Sequence, residues 1–255
     1  MNNSARPEPV PFTSRMTSGE LIAVLVYLPL HILLLPMLLL SLPQTANLSE
    51  IQINVAVYTF GTLWMLLFAG RFLRRDFDPL CDHPFYCLLQ VVTSYGMVLA
   101  LNMLLSALLM MLQSELSNPN NAAWGDMAIT DFGKTAASAV FLAPLTEEPI
   151  FRGAIFSLLY PRPEEQTLSP PKGFALRRSR RLAYLTSMLL FSLYHVWGYA
   201  LLDPKNWLYL LQYLPASWVL CRCYERCNSI WGSILLHMTI NGVSVLAISA
   251  MQSVL

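Results

Sequence analysis

Seven stretches of this chain are apolar over lengths close to the roughly 20 residues that a helix needs to cross a ~30 Å hydrocarbon core. They cover residues 21–42, 51–73, 85–112, 135–160, 182–202, 207–223 and 230–255. The third is long enough to tilt or to run past the interface, and the sixth is short and interrupted by Pro215. The longest polar connections are 113–134, acidic and Asn-rich, and 161–181, strongly basic. This pattern predicts an all-α, polytopic transmembrane bundle of about seven spans. Residues 1–20 are expected as a cytoplasmic N-terminal segment and 21–255 as one transmembrane helical domain.

Composition agrees with that class. Of the 255 residues 55% are hydrophobic and 12% charged, where a soluble domain carries about a quarter charged residues. Mean hydropathy is +0.49. A net charge of +1 supplies no basic field for nucleic acid. The stretch through Ser18 is polar and contains prolines, so no cleavable signal peptide is expected. Cytoplasmic loops collect Lys and Arg, and this sets the orientation. With the N-terminus inside, thirteen cations fall on inner segments: Arg6, Arg15, Arg71, Arg74, Arg75, Arg162, Lys172, Arg177, Arg178, Arg180, Arg181, Arg222 and Arg226. Only Lys134 and Lys205 fall outside. The same topology puts the five cysteines at the inner face, where thiols stay reduced. Cys221, Cys223 and Cys227 are better read as juxtamembrane thiols, reduced or occasionally palmitoylated, than as a dedicated metal or lipidation site.

Ionisable side chains at membrane depth are costly and mark functional sites by default. Glu147 and Glu148 are the acidic residues deep in a span, Arg152 is the deep cation, and His195 and His237 lie inside the fifth and seventh spans. A third intramembrane histidine, His31, looks isolated and is read as a packing or interhelical hydrogen-bonding residue. At 1.5 Å per residue, Glu147 and His195 lie about 20 Å from the inner ends of their spans. By the same count Arg152, His237 and Asn241 lie about 12, 11 and 17 Å in. The fourth, fifth and seventh spans therefore deliver their polar groups to one layer. Glu148 and Arg152 stand at i and i+4, the spacing of an intrahelical ion pair. Glu147, about 100° around the helix, is free to face the histidines. His237 and Asn241 share a face, as do Phe191 and His195. Pro144 and Pro149 remove backbone donors and favour a kink.

A carboxylate, two imidazoles and an amide in a partly dry cavity are the parts for activating water. Glu147 is the candidate base, an imidazole shares the proton, and an imidazole N–H with the Asn241 amide can stabilise an oxyanion. Ser192 and Ser138 are the nearest hydroxyls and are read as packing serines. Glu147, His195 and His237 are also acceptable zinc ligands, although HExxH is absent. The ~9 Å scatter in depth along the membrane normal and the carboxamide of Asn241 favour a site without a cofactor. Two other classes compete: a transporter or proton relay, which also uses intramembrane Glu, His and Arg, and a non-catalytic scaffold.

The residue order is specific. Glu147-Glu148-Pro149-Ile150-Phe151-Arg152 resembles the EExxxR motif of the CPBP family of intramembrane proteases, the CAAX proteases and bacteriocin-processing enzymes also called the ABI family. Phe191-Ser192-Leu193-Tyr194-His195 is similar to its FxxxH motif and His237-Met238-Thr239-Ile240-Asn241 to its HxxxN motif. The likeness covers about 135–250. It implies an endopeptidase similar to the type II CAAX prenyl endopeptidases, with a cavity open towards the cytoplasm. Glu147 and His195 would activate water, His237 and Asn241 would form the oxyanion hole, and Glu148, Arg152 and Phe191 would support the site. The implied partners are the lipid bilayer and a peptide or protein substrate, prenylated, membrane-bound or neither. The implied location is a bacterial cytoplasmic membrane.

Overall fold

The computed structural model describes residues 11–43, 47–112, 118–162 and 179–252. Residues Arg6, Lys172, Arg177 and Arg178 of the charge count lie outside them. The described elements are all helical: α1 Ser18–Pro29, α2 Leu35–Ser41, α3 Glu50–Phe68, α4 Gly70–Arg75, α5 Asp78–Asp82 and α6 Pro84–Leu112. They continue with α7 Pro119–Thr130, α8 Phe132–Ala136, α9 Ala143–Glu148, α10 Ser157–Leu159, α11 Arg180–Leu202, α12 Leu210–Cys227 and α13 Ile230–Gln252. π-helical turns join α1 to α2 (Leu30–Leu34), α8 to α9 (Ala137–Leu142) and α9 to α10 (Pro149–Phe156).

Five helices among the described residues are long and apolar enough to cross a bilayer: Ser18–Leu39, Glu50–Phe68, Pro84–Met111, Arg180–Leu202 and Ile230–Ala250. The fourth and sixth expected spans are helical too but are not among the five. The fourth is divided by π turns and carries Glu147, Glu148 and Arg152, all buried. The sixth carries Arg222, Glu225 and Arg226 in its last turns. Where a loop was expected at 113–134, residues 119–130 form α7, whose N-terminus is capped by the side chain of Asn118.

At one end of the bundle, residues 11–17 pack against the helix ends. Phe12 is buried among Phe156, Tyr160 and Tyr224. Arg15 donates to the carbonyls of Ser157, Tyr160 (2.9 Å) and Pro161 (2.6 Å). A cation is favourable there, because the last carbonyls of a helix have no intrahelical partner. At the same end Asp76 accepts the N–H of Ile230 and so caps α13. Arg75 pairs with Glu20 at 3.0 Å, and Arg180 pairs with Glu225. The described arginines other than Arg152 gather at this end, while Lys134 and Lys205 lie at the other. Cys87, Cys221, Cys223 and Cys227 are buried and Cys81 is exposed. Burial puts the three cysteines of α12 out of reach of lipidation.

Candidate active site

The local backbone explains why the fourth helical segment can hold two adjacent carboxylates. In the π turn before α9, the Ala143 N–H bonds the carbonyl of Ser138, five residues back. The next carbonyl, Ala139, would need the N–H of residue 144, and Pro144 has none. Asn241 of α13 fills that vacancy, its Nδ2 donating to Ala139 O at 2.7 Å. A second proline, Pro149, opens the π turn that carries Arg152. Such turns inside α-helices recur at functional sites.

Glu148 and Arg152 meet as their spacing predicts: Arg152 Nη1 donates to Glu148 Oε1 at 2.9 Å, and both side chains are fully buried. Arg152 Nη2 reaches the hydroxyl and carbonyl of Ser217 at 3.0 and 3.3 Å. The guanidinium lies 4.3 Å from the centre of the Phe191 ring, a cation–π contact, and Phe191 packs on His195 at 4.4 Å between centroids. Glu148 also has a partner that spacing alone did not show, since its Oε1 lies 2.8 Å from His237 Nδ1.

Glu147 faces the other way, towards the two histidines. Its Oε2 lies 3.9 Å from His195 Nε2 and 3.9 Å from His237 Nε2, and has no hydrogen-bond partner among the described residues. Both imidazoles are held by their other nitrogen. His195 Nδ1 lies 2.8 Å from the carbonyl of Phe191, which can only accept, so Nδ1 carries the hydrogen. His237 Nδ1 likewise donates to the Glu148 carboxylate. With neutral rings, three lone pairs then converge on one point and need a positive partner there, either hydrogens or a metal ion. Donors around a tetrahedral zinc with ~2.1 Å bonds stand about 3.4 Å apart, closer than the 3.9 Å here. Among the described residues no group of three or more His, Cys, Asp or Glu is arranged to hold a metal. A water tolerates the wider spacing, because each of its contacts spans roughly 2.6–3.2 Å.

Four aromatic or imidazole groups linked in a chain to Glu147 were not read from the sequence in this role. Tyr58 OH of α3 donates to Glu147 Oε1 at 2.7 Å, and Tyr194 OH lies 2.9 Å from Tyr58 OH. His31 Nε2 lies 2.6 Å from Tyr194 OH, and its Nδ1 lies 2.9 Å from Tyr27 OH. His31 is therefore not isolated: Tyr27 stands four residues before it on the same helix. Gly61 makes this approach possible, because a Cβ there would overlap Tyr27 OH and come within 2.7 Å of Thr146. Ser138 is bonded to Asn54 at 2.6 Å, and Ser192 Oγ is buried without a partner among the described residues.

The site borders a cavity of about 860 Å³. Glu147, His195 and His237 line it, as do Glu50, Asn118 and Trp124. No described lining residue comes from the arginine-rich end. Seven carboxamides stand in the wall: Asn54, Asn102, Asn118, Asn120, Asn121, Gln212 and Asn241. Tyr213 stacks on the His195 ring at 4.6 Å and accepts from Asn118 and Asn120 at 3.2 and 2.9 Å, tying α7 to the site.

Residues 133–243 match the family described as Type II CAAX prenyl endopeptidase Rce1-like. For this part of the chain the match supports a CAAX/CPBP-family intramembrane protease, in agreement with the three motifs it contains. No curated protein and no solved structure matches the chain.

Proposed function

We propose that this protein is an intramembrane endopeptidase that hydrolyses peptide bonds with a water activated by Glu147 and His195. The observation that carries the reading is Glu147 Oε2, without a hydrogen-bond partner among the described residues and 3.9 Å from two imidazole nitrogens that line a cavity with it. A water between Oε2 and His195 Nε2 is poised to give its proton to Oε2 as its oxygen attacks a carbonyl. His237 as imidazolium, backed by Glu148, offers Nε2–H to the oxyanion. In that state Glu147, Glu148, Arg152 and His237 sum to zero charge, which suits a dry site. The Asn241 amide keeps a second hydrogen for the oxyanion beside the one bonded to Ala139. Collapse of the intermediate returns the proton from Glu147 to the leaving nitrogen, giving a carboxylic acid and an amine. No step needs a metal. The carboxamide wall, with donors and acceptors and little charge, suits a polypeptide backbone.

A proton-transporting reading would use the chain from Glu147 to His31. Among the described residues that chain ends at Tyr27, which is fully buried against Gly61, and does not join the two faces. The hydrolase is tested by comparing membrane and exported polypeptides from cells making the wild type or Glu147→Gln. At least one polypeptide should be cut only with the wild type; identical sets of termini refute the activity.

Two expectations from the sequence pull apart here. The Lys/Arg bias puts the arginine-rich end inside, whereas the described residues that line the cavity come from the other half of the bundle. We favour the charge rule, so that the N-terminus is inside and substrate enters from the outer face. Cys81 is the exposed native thiol among four buried ones, and Ala122 is exposed at the cavity end. A membrane-impermeant maleimide applied to intact cells should label Ala122→Cys and reach Cys81 only after permeabilisation. The opposite result reverses the orientation and restores a cytoplasmic cavity.

A further inference from the structure

We propose that Tyr58, Tyr194 and His31 are positioning residues that reserve one oxygen of Glu147 for the reaction. The inference rests on the hydrolase reading for its purpose, but its geometry stands apart from it. A carboxylate accepts hydrogen bonds and donates none. An ionised Glu147 therefore fixes the direction of every bond in the chain that ends on it. Tyr58 donates to Oε1 (2.7 Å), Tyr194 donates to Tyr58 (2.9 Å), and His31 Nε2–H donates to Tyr194 (2.6 Å). Tyr27 donates to His31 Nδ1 (2.9 Å). Each group then donates once along the chain, and no donor faces a donor.

The consequence lies on the other oxygen. With Oε1 occupied by a phenol, a proton taken from water must settle on Oε2, on the side of the histidines. There it can be returned to the leaving nitrogen. Without the chain, the carboxyl could rotate or hold its proton on the wrong face. Tyr27, His31 and Tyr58 come from α1, the π turn that follows it and α3, outside the matched stretch 133–243, and Tyr194 lies inside it. The first two membrane helices thus complete a site whose other parts come from the second half.

The test has two arms. In the first, His31 is ¹⁵N-labelled and its tautomer read by NMR in purified protein, with no substrate. The wild type should carry the hydrogen on Nε2. In Tyr58→Phe, Tyr194 loses its acceptor and turns its hydrogen to His31 Nε2, so the ring hydrogen should move to Nδ1. An unchanged tautomer, or Nδ1–H in the wild type, overturns the chain whatever the enzyme does. In the second arm, cleavage kinetics are measured on the polypeptide found to be cut by the wild type. Tyr58→Phe and His31→Leu should lower kcat about 10- to 100-fold, the worth of a hydrogen bond to a charged group, with KM unchanged. His31→Gln, which keeps one donor and one acceptor, should restore most of kcat. If His31→Gln is as slow as His31→Leu, the imidazole itself exchanges protons and positioning is the wrong role. If the wild type cuts nothing while the tautomer behaves as stated, the hydrolase reading fails and the chain stands.

Discussion

Replacing Glu147 by glutamine is expected to slow peptide hydrolysis by about 10²- to 10⁴-fold, the range in which a positioned general base contributes. The amide keeps the shape of the side chain and an oxygen for Tyr58 to donate to, but it cannot take a proton from water. Its effect on folding should be small, because Oε2 has no partner to lose among the described residues. Glu147→Gln should therefore unfold in detergent within about 1 kcal/mol of the wild type, the size of a typical single substitution. Turnover at the wild-type rate by a folded Glu147→Gln protein would falsify the mechanism.

The second large effect is expected at Arg152, and on stability. Arg152 and Glu148 are fully buried, so truncating one leaves the other as an uncompensated charge. Breaking such a pair costs about 3–5 kcal/mol. Arg152→Met fills similar space without charge and should lower the unfolding midpoint sharply or prevent accumulation of the protein. Combining it with Glu148→Gln should recover at least about 1 kcal/mol relative to the sum of the single effects, because the two act as one unit. Strict additivity in that cycle would show that the pair does not stabilise through mutual charge. Glu148→Gln alone should also weaken activity, since Glu148 Oε1 holds His237 Nδ1 at 2.8 Å.

Much of this site was legible because its parts sit at fixed helical intervals. The Glu148–Arg152 pair follows from i and i+4 spacing, and the opposed direction of Glu147 follows from one residue's rotation. The common depth of Glu147, His195 and His237 followed from counting residues along three helices. Contacts between helices were another matter. Nothing in the spacing says that His237 grips Glu148, or that Tyr58 of α3 ends on Glu147, since both depend on how helices rotate against each other. His31 lay between these cases: Tyr27 at i−4 was visible, but a tyrosine in an apolar helix reads as packing until its hydroxyl is placed. Spacing carried nothing on the direction of the cavity, which only the family resemblance implied. The packing of Phe12 among Phe156, Tyr160 and Tyr224 was hidden as well, because residues 11–17 read as part of a polar tail.

The proline vacancy in the fourth segment bears on how the protein is made. Synthesis proceeds from the N-terminus, so residues 137–156 emerge after Asn54 and Tyr58 but before several other partners that satisfy them. Ala139 O waits for Asn241, Arg152 for Ser217 and Glu148 for His237, all from the last third of the chain. Lipid offers no substitute for these partners. The earlier helices α1 and α3 can shelter one side of the segment, through Tyr58 and Gly61, but its other side stays incomplete until α13 arrives. The segment thus cannot complete its contacts in the order in which it is translated, and closure of the bundle waits for α12 and α13.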